Sequence, residues 1–130
     1  MSNILNNSPI FEDFKKAAGR IAEVLSLEKT TVTRDSAIKR FELCFDLAWK
    51  TIKVYARNQG VECYSPRVCF KIAFQLGLIE HNEEWLEMIK DRNQAVHIYK
   101  EELADKIYLR LPIYLNLFQG LIEKLENIED

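Results

Sequence analysis

The chain has 130 residues, 48% of them hydrophobic and 29% charged, the proportions of one soluble globular domain built on a single core. Its formal net charge of −2 supplies no global basic field for gripping duplex nucleic acid, so any nucleic-acid contact would be local to a cleft or supplied by a partner. No apolar run approaches membrane-spanning length and no basic-then-apolar signal region opens the chain, which predicts a cytoplasmic protein.

Four glycines and three prolines leave little room for the turns of a sheet protein, and the apolar spacing is helical almost throughout. Ser8-Pro9 is an N-cap followed by proline at the first helical position. Phe11, Phe14, Ala18, Ile21 and Leu25 then mark one helical stripe. The polar Thr30-Thr31-Val32-Thr33 stretch interrupts it. A second helix is expected from near Asp35, with Ile38, Phe41, Phe45, Ala48, Ile52 and Tyr55 at three- and four-residue steps, and it should stop at Asn58-Gln59-Gly60. Ser65-Pro66 repeats the cap-plus-proline start, and Gly77 should close that short third helix. Asn82 should cap a fourth, with Glu83 and Glu84 placed favourably against its dipole. In the fifth and longest helix Ile107, Leu111, Tyr114, Phe118, Leu121, Leu125 and Ile128 keep the heptad rhythm of a bundle seam. Pro112 inside it should bend it, because its ring meets the carbonyl of Tyr108. The architecture predicted is an all-α, five-helix up-and-down bundle, a single domain over residues 1–130. Three cysteines, an odd number, argue against a disulfide framework. Cys44 falls on the helical apolar pattern, and Cys63 and Cys69 are spaced unlike a zinc pair, so neither metal nor cofactor is expected.

Between the fourth and fifth helices lies Asp91-Arg92-Asn93-Gln94-Ala95-Val96-His97-Ile98-Tyr99, an Arg-x4-His-x-Tyr run. A guanidinium that keeps its proton and an imidazole that titrates near neutrality suit phosphodiester chemistry. On one continuous helix five positions would set Arg92 and His97 roughly 140° apart. A fourth helix ending near Asn93 and a fifth starting around Glu101, with its acidic first turn, would instead let the connection fold His97 back toward Arg92.

Asp35-Ser36-Ala37-Ile38-Lys39-Arg40-Phe41-Glu42-Leu43-Cys44-Phe45-Asp46-Leu47-Ala48-Trp49-Lys50, then Ser65-Pro66-Arg67 leading to Gly77-Leu78-Ile79, then Trp85-x-x-Met88-x-x-Asp91-Arg92-Asn93 together resemble the nucleotidyltransferase substrate-binding proteins. The resemblance runs from about residue 10 onward. It implies membership of the HEPN superfamily, four- or five-helix bundles that commonly form homodimers, many of them metal-independent ribonucleases with an Arg-x4-6-His motif. It further implies the toxin–antitoxin branch carrying Arg-x4-His-x-Tyr, in which a minimal nucleotidyltransferase, encoded nearby, adds AMP to the motif tyrosine (AMPylation). Arg92, His97 and Tyr99 match those positions. Lys100 stands where members often carry Asn or Asp.

Each candidate also has a plain structural reading. His97 is otherwise a surface or core histidine, and Arg92 a salt-bridge partner of Glu42 or Asp46. As a catalytic group Arg92 would grip phosphate oxygens in a bidentate fork. Asn93 is a helix C-cap that could also orient His97 or the substrate. Tyr99 either packs or is the modification site. Glu42, Asp46 and Lys50 are an exposed salt-bridge ladder or a polar face of the cleft beside Arg92. Trp49 and Trp85 fit core anchors, and His81 an exposed loop residue. Cleaving RNA through its 2′-hydroxyl needs both a base and an acid, and one protomer offers one credible histidine, so catalysis would demand a dimer pooling two copies of His97. Two functions follow. The first is a ribonuclease toxin acting on RNA, with Arg92 and His97 catalytic, Asp91, Asn93, Glu42, Asp46 and Lys50 supporting, and Tyr99 modified by the partner. The alternative is a non-catalytic subunit presenting a nucleotide or other substrate to a separate nucleotidyltransferase. The chain has no Gly-Ser followed by an Asp-x-Asp metal pair, so both imply a partner.

Overall fold

The computed structural model describes Leu5 and residues 8–128. Five helices make up the bundle: α1 (Pro9–Leu25), α2 (Thr31–Asn58), α3 (Pro66–Gln75), α4 (Glu84–Gln94) and α5 (Glu101–Glu126). Among the described residues there is no strand. Helix α2 packs against every other helix and forms the spine on which the rest are arranged.

Local chemistry sets most of the boundaries. Pro9 and Pro66 sit in the first turns of α1 and α3, where the missing N–H would have had no partner. The Ser65 hydroxyl accepts from the backbone N–H of Val68. Gly60 and Gly77 both adopt positive φ, at 82° and 78°. Each is the hinge of a double closure: Gly60 donates to Arg57 O and Val61 to Ala56 O, while Gly77 donates to Phe74 O and Leu78 to Ala73 O. These paired bonds satisfy the final carbonyls of α2 and α3.

The start of α2 differs from the expectation at Asp35. The helix begins at Thr31, because Thr30 and Thr33 form a reciprocal capping box: each side-chain oxygen accepts the other residue's backbone N–H, at 3.1 and 2.7 Å. A polar threonine run that breaks an apolar stripe is here a helix start. The cysteines also correct the sequence reading. Cys63 and Cys69 form a disulfide with their Cα atoms 5.2 Å apart, and the odd cysteine, Cys44, is free and buried. The cap at Ser65 turns the chain back so that Cys69, on the first turns of α3, faces Cys63 in the loop.

The core is aromatic. Phe41 of α2 stacks on Tyr114 of α5 at 5.4 Å, Phe14 meets Phe118 edge-on at 5.9 Å, and Phe70 leans on Trp85 at 4.8 Å. The heptad positions of α5 from Ile107 to Leu125 are buried as the spacing requires. Leu25 and Ile128 at the ends of their stripes are only half-buried. Helix α5 continues through Pro112. Trp85 is a buried anchor, whereas Trp49 lies at the edge of the core. No helix among the described residues is long and apolar enough to cross a membrane.

Candidate functional site

Helix α4 ends at Gln94, a single 3-10 turn spans Ala95–His97, and α5 starts at Glu101. The bend between the two helices is therefore present, and Lys100 N–H closes it on the carbonyl of His97 at 3.0 Å. Buried Ala95 seats the turn against the core. Lys100 occupies the N-cap position of α5 without a side-chain capping bond.

Asp91 and Arg92 are neighbours in sequence and diverge in space. Asp91 is 1% exposed and points to α5, where its carboxylate accepts from Arg110 Nε and Nη2 at 2.7 and 3.0 Å and from the Tyr114 hydroxyl at 2.6 Å. Burial, and then this hydrogen bond, push the Tyr114 phenol well above its ordinary range, and the bond to Asp91 raises Arg110. Asp91 thus fastens the last turn of α4 to α5 and faces away from Arg92.

Arg92 points to α2. Its Nε and Nη2 donate to the two oxygens of Asp46 at 3.2 and 3.1 Å, and Glu42 lies 3.9 Å from Nη1. The hydrogen bond to Asp46 is the main cause that raises the guanidinium's pKa. Its side chain is 25% exposed. The fork that could hold a phosphate is already held by a carboxylate. Glu42 and Asp46 join Arg92, and Lys50 does not: its ammonium lies over the Trp49 ring at 5.9 Å, in a separate depression with Lys53 and Arg57. Asn93 is exposed on the outer side of α4, beside Lys90 and Leu86.

His97 and Tyr99 form the second half of the run. The Tyr99 hydroxyl lies 3.3 Å from His97 Nδ1 and the rings meet edge-on at 5.8 Å. Tyr99 is 72% exposed, an unusual state for a ring of that size. With Nδ1 as acceptor the phenol donates to the imidazole, the arrangement in which a base can take the hydroxyl's proton as the oxygen attacks an electrophile. Among the described residues no hydrogen bond joins the His97–Tyr99 pair to Arg92, so the bend yields two adjacent pairs instead of one Arg–His cluster. His81 is exposed, edge-on to Phe74 at 5.7 Å.

Sequence reasoning missed Arg34. It is 3% exposed, and its Nη1 donates to Glu101 at 2.6 Å and Asp105 at 3.2 Å while Nε donates to Asp35 at 3.0 Å. It holds the first turn of α5, directly after Tyr99-Lys100, where a capping side chain is lacking. A signal was present: Arg34 lies four residues before Ile38 on the buried stripe of α2, and Glu101 and Asp105 are one turn apart.

The comparisons agree with this architecture. Residues 10–127 match the family model described as nucleotidyltransferase substrate binding protein like. A crystal structure of a Thermus thermophilus protein is 36% identical, with a TM-score of 0.82 over 88% of this chain and 99% of that one. A Haemophilus influenzae protein, described as revealing the fold of a substrate binding domain of a nucleotidyltransferase, shares the fold at 21% identity, with a TM-score of 0.69 over 96% of this chain and 98% of its own. No curated protein matches. With the family model spanning nearly the whole bundle and a relative at 36% identity aligned over most of it, the chain belongs to the nucleotidyltransferase substrate binding protein-like family.

Proposed function

We propose that this chain is the non-catalytic accessory subunit of a two-component nucleotidyltransferase, presenting the Arg92–Tyr99 segment and a bound substrate to a separate transferase in the cytoplasm. The observation that carries this reading is the state of Arg92. Its guanidinium is forked onto Asp46 and flanked by Glu42, so it offers no free clamp for the charge that builds on a phosphate during RNA cleavage. An acidic pair beside the run repels a polyanion and leaves docking on a basic partner surface open.

A second reading keeps the HEPN-type ribonuclease toxin of a toxin–antitoxin pair, and the His97–Tyr99 contact favours it. An exposed phenol with an imidazole on its oxygen is a suitable acceptor for AMP from the partner. The added phosphate would then lie two residues from His97 and compete for Arg92. This mechanism needs the homodimer, and the exposed Leu109 and Ile113, one turn apart on α5, supply an apolar stripe for it.

The two are separated by incubating the purified protein with tRNA and total RNA in EDTA, beside Arg92→Ala and His97→Ala. The accessory-subunit reading predicts no cleavage by any of the three. Cleavage by the wild type that both substitutions abolish would overturn it in favour of the ribonuclease. A monomer by light scattering at micromolar concentration would remove the two-histidine mechanism.

A further inference from the structure

The outward face of α2 changes sign along its length. Glu42, Asp46, Lys50, Lys53 and Arg57 fall within roughly 80° of one another around the helix, acids first and cations after. The acidic end serves Arg92. The basic end borders a depression of about 390 Å³, lined by Ile10 of α1 and by Trp49, Lys50, Lys53, Val54 and Arg57. Val54 is 42% exposed and Ile10 and Trp49 are half-buried, so an apolar floor lies among three cations. The Lys50 ammonium lies over the Trp49 ring at 5.9 Å and that of Lys53 over the Tyr64 ring at 5.0 Å. Neither ammonium forms a salt bridge among the described residues. At the edge, Glu62 accepts from Arg57 Nε at 3.2 Å and from the exposed Tyr64 hydroxyl at 2.6 Å. Cys63, between Glu62 and Tyr64, is tied to Cys69, so the disulfide keeps this carboxylate-holding rim in place.

A local cluster of cations on a chain of net charge −2 attracts acidic partners to that place alone. The Arg57 Nε is committed to Glu62, and the two lysines offer point charges instead of a fork. The surface therefore selects negative charge beside hydrocarbon. Carboxylates spaced around an aliphatic side chain match that layout, the aliphatic group filling the floor of Ile10, Trp49 and Val54. A sugar–phosphate chain would leave the floor uncovered. We propose that the depression at the C-terminal half of α2 docks an acidic peptide segment of a second protein, with carboxylates on Lys50 and Lys53 and one aliphatic side chain in the floor. The reversal of sign between Asp46 and Lys50, one helical turn, sets the orientation: the acidic segment belongs at the Gly60 end of α2, and a like segment is repelled at the Arg92 end. The inference does not depend on the accessory-subunit reading. Its test contains no transferase, so the two fail separately.

The test uses the whole chain, with a short capped peptide of glutamates around a central leucine as probe. The indole N–H signal of Trp49, assigned with Trp49→Phe, reports occupancy in 1H–15N spectra. The probe is expected to shift that signal saturably. It should bind at least about tenfold more tightly than the same peptide with lysines for glutamates, or with alanine for leucine. Lys50→Glu combined with Lys53→Glu should weaken binding by about tenfold or more, and Val54→Ser should weaken it with the charges intact. None of these three side chains is buried, so circular dichroism should show the fold unchanged, and Lys90→Glu on α4 should bind as wild type does. No Trp49 shift at millimolar peptide would overturn the proposal. So would binding that the charge reversals leave intact, or a single-stranded oligonucleotide of equal charge binding as tightly as the peptide.

Discussion

Asp91 and Arg92 are consecutive on α4, yet one carboxylate serves α5 and the next guanidinium serves α2. Successive residues on a helix point about 100° apart, and α4 is wedged between two helices that each supply counter-charges. Losing Asp91 should cost more than losing Arg92, because Asp91→Ala strands a buried hydroxyl on Tyr114 and leaves Arg110 without its fork partner. A loss of about 3 kcal/mol is expected by urea denaturation. Tyr114→Phe, which removes one bond and no volume, should cost about 1 kcal/mol. The burial of position 91 was legible, since it falls three residues after Met88 on the inward face. Its partners were not, because contacts 19 and 23 residues away depend on how two helices cross. The His97–Tyr99 contact, by comparison, needs only two residues of chain and a bend, but the expectation from spacing turns His97 toward Arg92 instead.

At the level of elements, the caps and closures decide where the site sits. Thr30 fixes the first turn of α2, so Thr30→Ala should lower stability by about 1 kcal/mol, measured by thermal melting. The sequence contained this box plainly, but a run of threonines also has the composition of a loop, and only the reciprocal bonds distinguish the two. The disulfide was hidden for a different reason: counting cysteines gives no pairing, and the turn at Ser65 that brings Cys63 to Cys69 is a tertiary event. Closing so short a loop should contribute about 2 kcal/mol, so Cys63→Ser, or reduction of the wild type, should lower the melting temperature and loosen the entry to α3. Arg34 gives the bundle an acid-sensitive joint. Its hydrogen bond holds Glu101 below its ordinary value of 4.5, and hydrogen bonds from Lys29 and then Arg34 hold Asp105 below 3.8. Carboxylates depressed in the folded state stabilise it above their unfolded values, and that contribution is lost as pH falls through the folded ones. Stability should therefore decline as pH drops below about 4.5, and Glu101→Gln with Asp105→Asn should make that decline shallower.

Across the whole molecule, the helix count, the order of elements and the heptad seam of α5 were all readable from apolar periodicity, because a bundle's core repeats along each helix. What periodicity cannot convey is which polar groups face one another across helices, and the site is made of those. The Arg-x4-His-x-Tyr run resolves into an Arg92 held by acids and a His97 paired with an exposed Tyr99, the arrangement on which the proposed accessory role rests. The most direct measurement mixes this chain with a minimal nucleotidyltransferase from the same organism and follows the mixture by size-exclusion chromatography with light scattering. A stable complex is expected, weakened when Tyr99→Ala or Arg92→Glu alters the presented segment, with Lys16→Ala as a surface control that leaves it intact. Two components that elute independently at micromolar concentration would contradict the accessory-subunit assignment.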